Sequence, residues 1–304
     1  MGRIAKPIAV ATLVTTLALG SSAGSAQTSG GRLGAYRGLA TWVDLYDPAA
    51  WRNPEVTVAA MQVRGVRTLF LETGNYRQRV RIARRPLVER FVEAAHAKGL
   101  RIVAWYLPSF VHPRRDFRRS LAAIRLRTED GQRFDSFALD IESSVVRSVP
   151  VRTTRLLRLS SRLRRAAGRS YPLGAIIPSP RGMELLPHYW PGFPYAALGT
   201  MYDVFLPMSY FSYRPRDLGG PYGYTVRNVR TIRLATGRPR VPVHPIGGLA
   251  AALSSKQVAA FVRATRACGA IGASLYDFTT TKGGAWRKVA RAPRRRAPAR
   301  PACR

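Results

Sequence analysis

Two carboxylates, Asp140 and Glu142, stand two residues apart in the apolar run Phe134–Glu142. On a strand, residues i and i+2 face the same side, with Cα atoms ~6.6 Å apart. If that side is a shielded pocket, burial raises one carboxyl's pKa while its neighbour stays ionised. Such a division suits a general acid and its partner. Asp44, Glu72 and Asp277 also fall at or near the carboxyl ends of apolar runs. The chain holds only 16 Asp+Glu against 50 Lys+Arg, so acids recurring at equivalent addresses are hard to ascribe to a solvated surface. The competing reading pairs Asp44 and Glu72 with Arg inside the fold.

The elements that must position these acids follow from the rhythm of the chain. Between Gly38 and Arg291, short apolar runs alternate with amphipathic stretches. The runs are Leu39–Leu45, Val66–Glu72, Arg101–Leu107, Phe134–Glu142, Pro172–Pro178, Asp203–Tyr210, Val241–Ile246 and Ala270–Phe278. Each has strand length and is bounded by Gly, Pro or polar turn residues, as strands buried on both faces of a parallel sheet should be. Intervening segments show helical spacing, as in Leu87, Phe91 and Ala95, or Leu156, Leu159 and Leu163. Gly99, Gly168 and Gly269 follow three of them and suit left-handed caps. Eight βα units predict one α/β domain, a single (β/α)8 TIM barrel over residues 38–291, whose strand ends converge on one mouth. An open, doubly wound sheet would instead show a Gly-rich phosphate turn after its first strand; here that turn reads Trp42-Val43-Asp44-Leu45-Tyr46-Asp47.

The fourth run resembles a known signature. Phe134-Asp135-Ser136-Phe137-Ala138-Leu139-Asp140-Ile141-Glu142 is similar to the Asp-x-x-Asp-x-Asp-x-Glu strand of glycoside hydrolase family 18, the chitinase-like barrels. Asp135, Asp140 and Glu142 fall on its first, third and fourth acids, and Ala138 replaces the second. Pro207-Met208-Ser209-Tyr210-Phe211 resembles that family's Met-x-Tyr-Asp/Asn strand, with Phe211 in place of the acid or amide. Leu139-Asp140-Ile141-Glu142 also resembles the Asp-x-Glu strand of the family 25 lysozyme-like barrels, whose first-strand acid Asp44 matches. Both resemblances imply Glu142 as proton donor to the glycosidic oxygen and Asp140 as the group that orients or stabilises a substrate acetamido group. The first also implies Tyr210 hydrogen-bonding that group.

Aromatic residues gather at the same predicted face. Trp42, Tyr106, Tyr210 and Tyr276 are expected to line a substrate cleft with Asp44, Glu72 and Asp277, since aromatic faces suit pyranose rings. Of the neighbours Trp105 and Tyr106, strand alternation turns one outward. The competing reading of each aromatic is core filling.

The net charge of +34, almost all from Arg, speaks to partners rather than fold. It favours polyanions, namely nucleic acid, anionic lipid or the acidic polymers of a cell wall, or else records only an Arg-rich composition. Residues 1–26 have the order of a secretory signal. Arg3 and Lys6 precede the apolar stretch Ile8–Leu19, and small residues reach a cleavage site after Ala26, with Ala23 and an uncleaved anchor as alternatives. Residues 27–37 are expected to be a flexible leader. Residues 292–304 are expected to be a disordered basic tail, because Arg alternates with Pro293, Pro298 and Pro301. Cys268 and Cys303 either pair or stay separate thiols.

His96, His112, His188 and His244 have no paired ligand spacing, so no metal is expected, and no cofactor is implied. There is no Gly-x-Ser-x-Gly elbow, Walker loop or nucleic-acid signature, and no later segment long and apolar enough to span a membrane. The sequence thus reads as a secreted, glycosidase-like barrel acting on a polysaccharide, plausibly an amino-sugar-containing cell-wall or chitin-type glycan. A non-catalytic carbohydrate-binding barrel and a polyanion-binding secreted protein remain the alternatives.

Overall fold

Parallel strands require helical crossovers, and the alternation read in the sequence supplies them. The computed structural model describes residues 31–213, 219–291, 293 and 303. Its strands are β1 (Gly38–Val43), β2 (Thr68–Asn75), β3 (Arg101–Leu107), β4 (Ser136–Asp140), β5 (Leu173–Ile177), β6 (Val204–Ser209), β7 (Ile246–Leu249) and β8 (Gly272–Tyr276). They pair in parallel, each with the next, and β8 returns to β1 to close the barrel. A helix follows every strand: Pro54–Val63, Arg85–Ala97, Pro113–Ile124, Val149–Ala167, Tyr195–Met201, Gly220–Ala235, Ser255–Ala267 and Gly283–Val289. Many open with Pro in the first turn, where its missing N–H has no intrahelical partner to lose. Gly99, Gly168 and Gly269 take the positive φ expected of them.

Side-chain alternation splits the apolar residues into two layers. Outward residues such as Leu69, Leu71, Ile102, Phe137 and Leu139 pack under the helices. Inward residues, including Trp42, Phe70, Val103, Ala138, Ile176 and Leu206, fill the lumen. Burial on both faces explains why the runs read as continuously apolar.

The structure corrects three expectations. Residues 31–37, read as part of a flexible leader, are built into the barrel. Gly34–Tyr36 forms a turn of 3-10 helix, and the fully buried Tyr36 plugs the N-terminal end. Its hydroxyl is hydrogen-bonded to Ser136 Oγ at 2.6 Å and lies 3.2 Å from the Phe137 carbonyl, and Ser136 Oγ lies 2.8 Å from the Pro172 carbonyl. Gly174 makes room for that hydroxyl: a Cβ there would lie 2.7 Å from it. The seventh run is hydrogen-bonded as a strand only from Ile246, with Val243 making a single bridge to Phe205. Pro242 and Pro245 lack the N–H a continuous ladder needs. Cys303, assigned to a disordered tail, is buried and disulfide-bonded to Cys268, with Cα atoms 5.1 Å apart. Arg233 donates to its carbonyl at 2.8 Å. The proposed signal at 1–26 and the rest of the tail, apart from Pro293, lie outside the described residues. No helix among the described residues is long and apolar enough to cross a membrane.

Above the plug runs a chain of hydrogen bonds that sets the state of His244. Trp42 Nε1 donates to Ser274 Oγ at 2.9 Å, His244 Nε2 lies 3.2 Å from the same oxygen, and His244 Nδ1 lies 2.8 Å from the Tyr36 carbonyl. A carbonyl only accepts, so Nδ1 carries the proton and Nε2 accepts from Ser274. Burial drives the His244 pKa down to about 4, and the ring is neutral.

Candidate active site

At the opposite end the strands open into a cavity of about 600 Å³, of the size that holds small ligands or a few sugar rings. Its inward positions continue the lumen parity. Asp44 follows β1, Glu72 lies on β2, Trp105 and Leu107 on β3, Asp140 and Glu142 at the end of β4, Met208 and Tyr210 at the end of β6, and Tyr276 closes β8. The pair two residues apart therefore faces one cavity, as its spacing predicted.

Asp140 is the deeper of the two. It is 6 % exposed, and its Oδ1 is buried without a hydrogen-bond partner. Burial, then the neighbouring Glu142 and Glu72 carboxyls, raise its pKa well above the usual range. Glu142 lies one position nearer the opening; burial raises its pKa as well. Its backbone carbonyl accepts from the Tyr189 hydroxyl. Glu72, 2 % exposed, accepts from the Leu45 N–H at 2.9 Å and from Asn75 Nδ2 at 3.0 Å. Burial outweighs those two donors and pushes it up to about 7. Among the described residues none of these three carboxyls makes an ion pair, and burial raises the pKa of each.

The remaining expected residues divide. Asp44 accepts the Tyr46 N–H at 2.7 Å through Oδ1 and the Tyr276 hydroxyl through Oδ2. Tyr276 and Tyr210 line the cavity with ring centroids 6.4 Å apart. Burial, with Glu142 and Asp140 nearby, raises the Tyr210 hydroxyl well above its ordinary value. It is a neutral donor.

Three expected residues do not reach the cavity. Tyr106 has the outward parity on β3, and its hydroxyl donates to the buried Asp116 at 2.8 Å under the helix layer. Its neighbour Trp105 lines the cavity instead, and the Trp105 indole N–H has no partner. Trp42 points inward but one layer too low. It stacks on Phe70 at 4.2 Å and spends its N–H on Ser274, forming floor rather than wall. Asp277 follows Tyr276 and turns away, its Oδ1 accepting from the Thr280 N–H at 3.0 Å and the Thr279 hydroxyl at 3.1 Å to close the turn after β8.

Sequence reasoning missed Asn75, Tyr76, Arg77 and Tyr189, all of which line the cavity. Asn75 and Glu72 cannot share a face by simple alternation. A register irregularity between Glu72 and Gly74 brings both to the mouth. Tyr189 comes from a segment outside the strand–helix rhythm, held by Arg152. That guanidinium lies 4.0 Å from the Trp190 ring centroid and donates to the Tyr189 carbonyl at 2.5 Å. Among the described residues there is no cluster of three metal-ligating side chains.

No protein-family model matches this sequence, and no curated protein matches it. Solved structures do. A chitinase from Bacteroides thetaiotaomicron superposes with TM-score 0.60 at 12 % identity, covering 84 % of this chain and 96 % of the chitinase. The barrel is similar to those of glycoside hydrolases. The Bacillus cereus spore cortex-lytic enzyme SleL gives TM-score 0.60 at 9 % identity over 84 % of this chain and 74 % of its own. The endo-beta-1,4-mannanase from Thermotoga petrophila gives 0.59 at 10 % identity over 80 % and 68 %. At such identities the likeness is one of fold, and activity has to be argued from the site.

Proposed function

We propose that this protein is a secreted glycoside hydrolase that cleaves an amino-sugar-containing polysaccharide of the cell-wall or chitin type. The observation that carries the reading is the Asp140, Glu142 and Glu72 cluster, which makes no ion pair among the described residues and stands at the mouth of an aromatic-lined barrel. On a chain with 50 Lys+Arg, carboxyls left without an Arg partner suit proton transfer. In this reading Glu142, the carboxyl nearer the opening, protonates the leaving glycosidic oxygen, because an alkoxide leaves poorly without a proton. Asp140 lies beneath it. Burial raises the pKa of Glu142, which favours its protonated form, and the unsatisfied Asp140 oxygen is free to accept from a substrate amide N–H. Tyr210 and Trp105 offer neutral donors to the same substrate group, while the exposed rings of Tyr46 and Tyr213 give sugar faces an apolar landing at the rim.

The test is release of reducing ends from chitin oligomers and from peptidoglycan by the purified protein. The expected result is cleavage of one of them, reduced about 10²–10⁴-fold by Glu142→Gln, the usual share of general acid catalysis. Equal rates for variant and wild type would refute the assignment. Binding of oligosaccharides without cleavage would move the protein to the carbohydrate-binding alternative.

A further inference from the structure

The segment joining β2 to the helix Arg85–Ala97 reads Tyr76-Arg77-Gln78-Arg79-Val80-Arg81-Ile82-Ala83-Arg84, continuing into Arg85. It holds five Arg and no carboxylate. Two of these cations have structural work. Arg84 lies over the Trp51 ring at 5.3 Å and donates to the Leu45 carbonyl, and Arg85 pairs with Glu89 at 2.7 Å. Arg77, Arg79 and Arg81 are exposed, and among the described residues none of the three makes an ion pair.

The segment that carries these three Arg is anchored at both ends. Tyr76 N–H donates to the Leu107 carbonyl at 2.9 Å, Gln78 N–H to the Asn75 carbonyl at 3.1 Å, and Ala83 N–H to the Thr73 carbonyl at 2.9 Å. From below, the buried Arg119 donates to the carbonyls of Asn75, at 3.0 Å, and of Gln78. Arg77 itself lines the cavity near Tyr46 and Asn75, and its guanidinium lies against the Tyr76 ring at 5.5 Å. The mouth is therefore polarised: guanidinium groups without an ion pair among the described residues on one lip, and on the floor carboxyls that act on one another.

That polarity dictates how a charged glycan would enter. An anionic substituent finds no cationic partner among the floor acids and is attracted to the lip, where planar guanidinium forks match carboxylate and phosphate oxygens. The neutral part of the chain is left to reach the acids. We propose that Arg77, Arg79 and Arg81 form an oxyanion subsite at the lip, so that the substrate is a glycan bearing carboxylate or phosphate groups. This rests on the glycan-cleaving reading above and narrows its substrate class.

Carboxymethyl chitin, chitin phosphate and glycol chitin share a backbone and differ in charge, which separates the two questions. Binding of each is measured in the Glu142→Gln background with the lip triple Arg77→Gln, Arg79→Gln, Arg81→Gln. A control triple, Arg158→Gln, Arg165→Gln, Arg169→Gln, removes as many exposed cations from another part of the surface. The lip triple should lose about tenfold in affinity for the anionic polymers relative to the control, with glycol chitin little changed. The difference should vanish near ~1 M salt, where screening reaches ~3 Å. A loss confined to one anionic polymer identifies its group as the one recognised. Equal losses in both triples, or glycol chitin bound as tightly as the anionic polymers, would overturn the subsite and leave the glycan reading standing. Binding of none of the three polymers would bring down both.

Discussion

At the N-terminal end of β4, Asp135 is surrounded by donors, whereas at the other end of the same strand Asp140 is buried with a partnerless oxygen. Asp135 accepts from Arg101 at 2.7 Å, the Ile102 N–H at 2.8 Å and His96 at 3.1 Å. Burial works to raise its pKa, but those hydrogen bonds and the nearby His96 charge outweigh it and leave the carboxyl below its ordinary value. Asp203, beside the same end of the barrel, likewise accepts hydrogen bonds, from Arg164 at 2.7 Å and the Leu173 N–H at 2.8 Å. The bottom of the barrel uses carboxylates as braces between neighbouring strands and helices. At the mouth Asp140, Glu142 and Glu72 make no ion pair among the described residues, and burial moves their pKa values the other way. A chain this rich in Arg could have paired them, and under the proposed function the difference separates structural acids from those held for proton transfer.

The comparison can be broken in several places. The largest effect on stability is expected at the bottom. Asp135→Ala strands His96 and Arg101 and should cost about 3–5 kcal/mol in chemical denaturation, the range for breaking a largely buried pair, while turnover per folded molecule is unchanged. Loss of turnover without loss of stability would make Asp135 a site residue. Cys303→Ser opens the loop closed by Cys268, a separation of 35 residues, and should cost about 2–4 kcal/mol; an unchanged melting temperature would show that the bridge does not form.

The pH dependence of stability sharpens the contrast further. His244 at the bottom has its pKa lowered to about 4, so its share of stability is intact above its unfolded value near 6.5 and is lost as pH falls towards 4. Glu72 at the mouth has its pKa raised to about 7, so stability rises as pH falls from 7 towards its unfolded value near 4.5. The two slopes oppose one another over nearly the same window. Glu72→Gln removes the compensating slope, and its stability should fall with acid more steeply than that of wild type, by up to about 1.4 kcal/mol per pH unit. Parallel pH curves for the two proteins would count against a proton-holding Glu72. The smallest effect is expected for Tyr276→Phe, which removes one donor to Asp44 and should cost about 1 kcal/mol.

How far the sequence carried the structure depends on which physical rule set each residue's place. The i, i+2 spacing placed Asp140 and Glu142 on one face, and the end of the fourth run put that face at the mouth. Alternation alone does not state its phase, so Tyr106 was favoured where Trp105 is the inward residue. It also says nothing of depth, which is why Trp42 lies a layer beneath the cavity. Asp135 matched a motif position, yet its place at the start of β4 makes it a brace. Asn75 and Arg77 depend on the irregularity after Glu72, and Tyr36 on long-range closure of the barrel, and neither leaves a periodic trace.

In Asp140→Asn, melting temperature and glycan turnover measured on the same preparation at neutral pH separate a catalytic from a structural acid. The substitution keeps the shape of the side chain and removes a buried carboxyl that has two like neighbours. The expected result is a melting temperature unchanged or raised, together with turnover reduced by about 10²-fold or more. A variant that melts lower and turns over at the wild-type rate would contradict it, because Asp140 would then be a structural acid like Asp135.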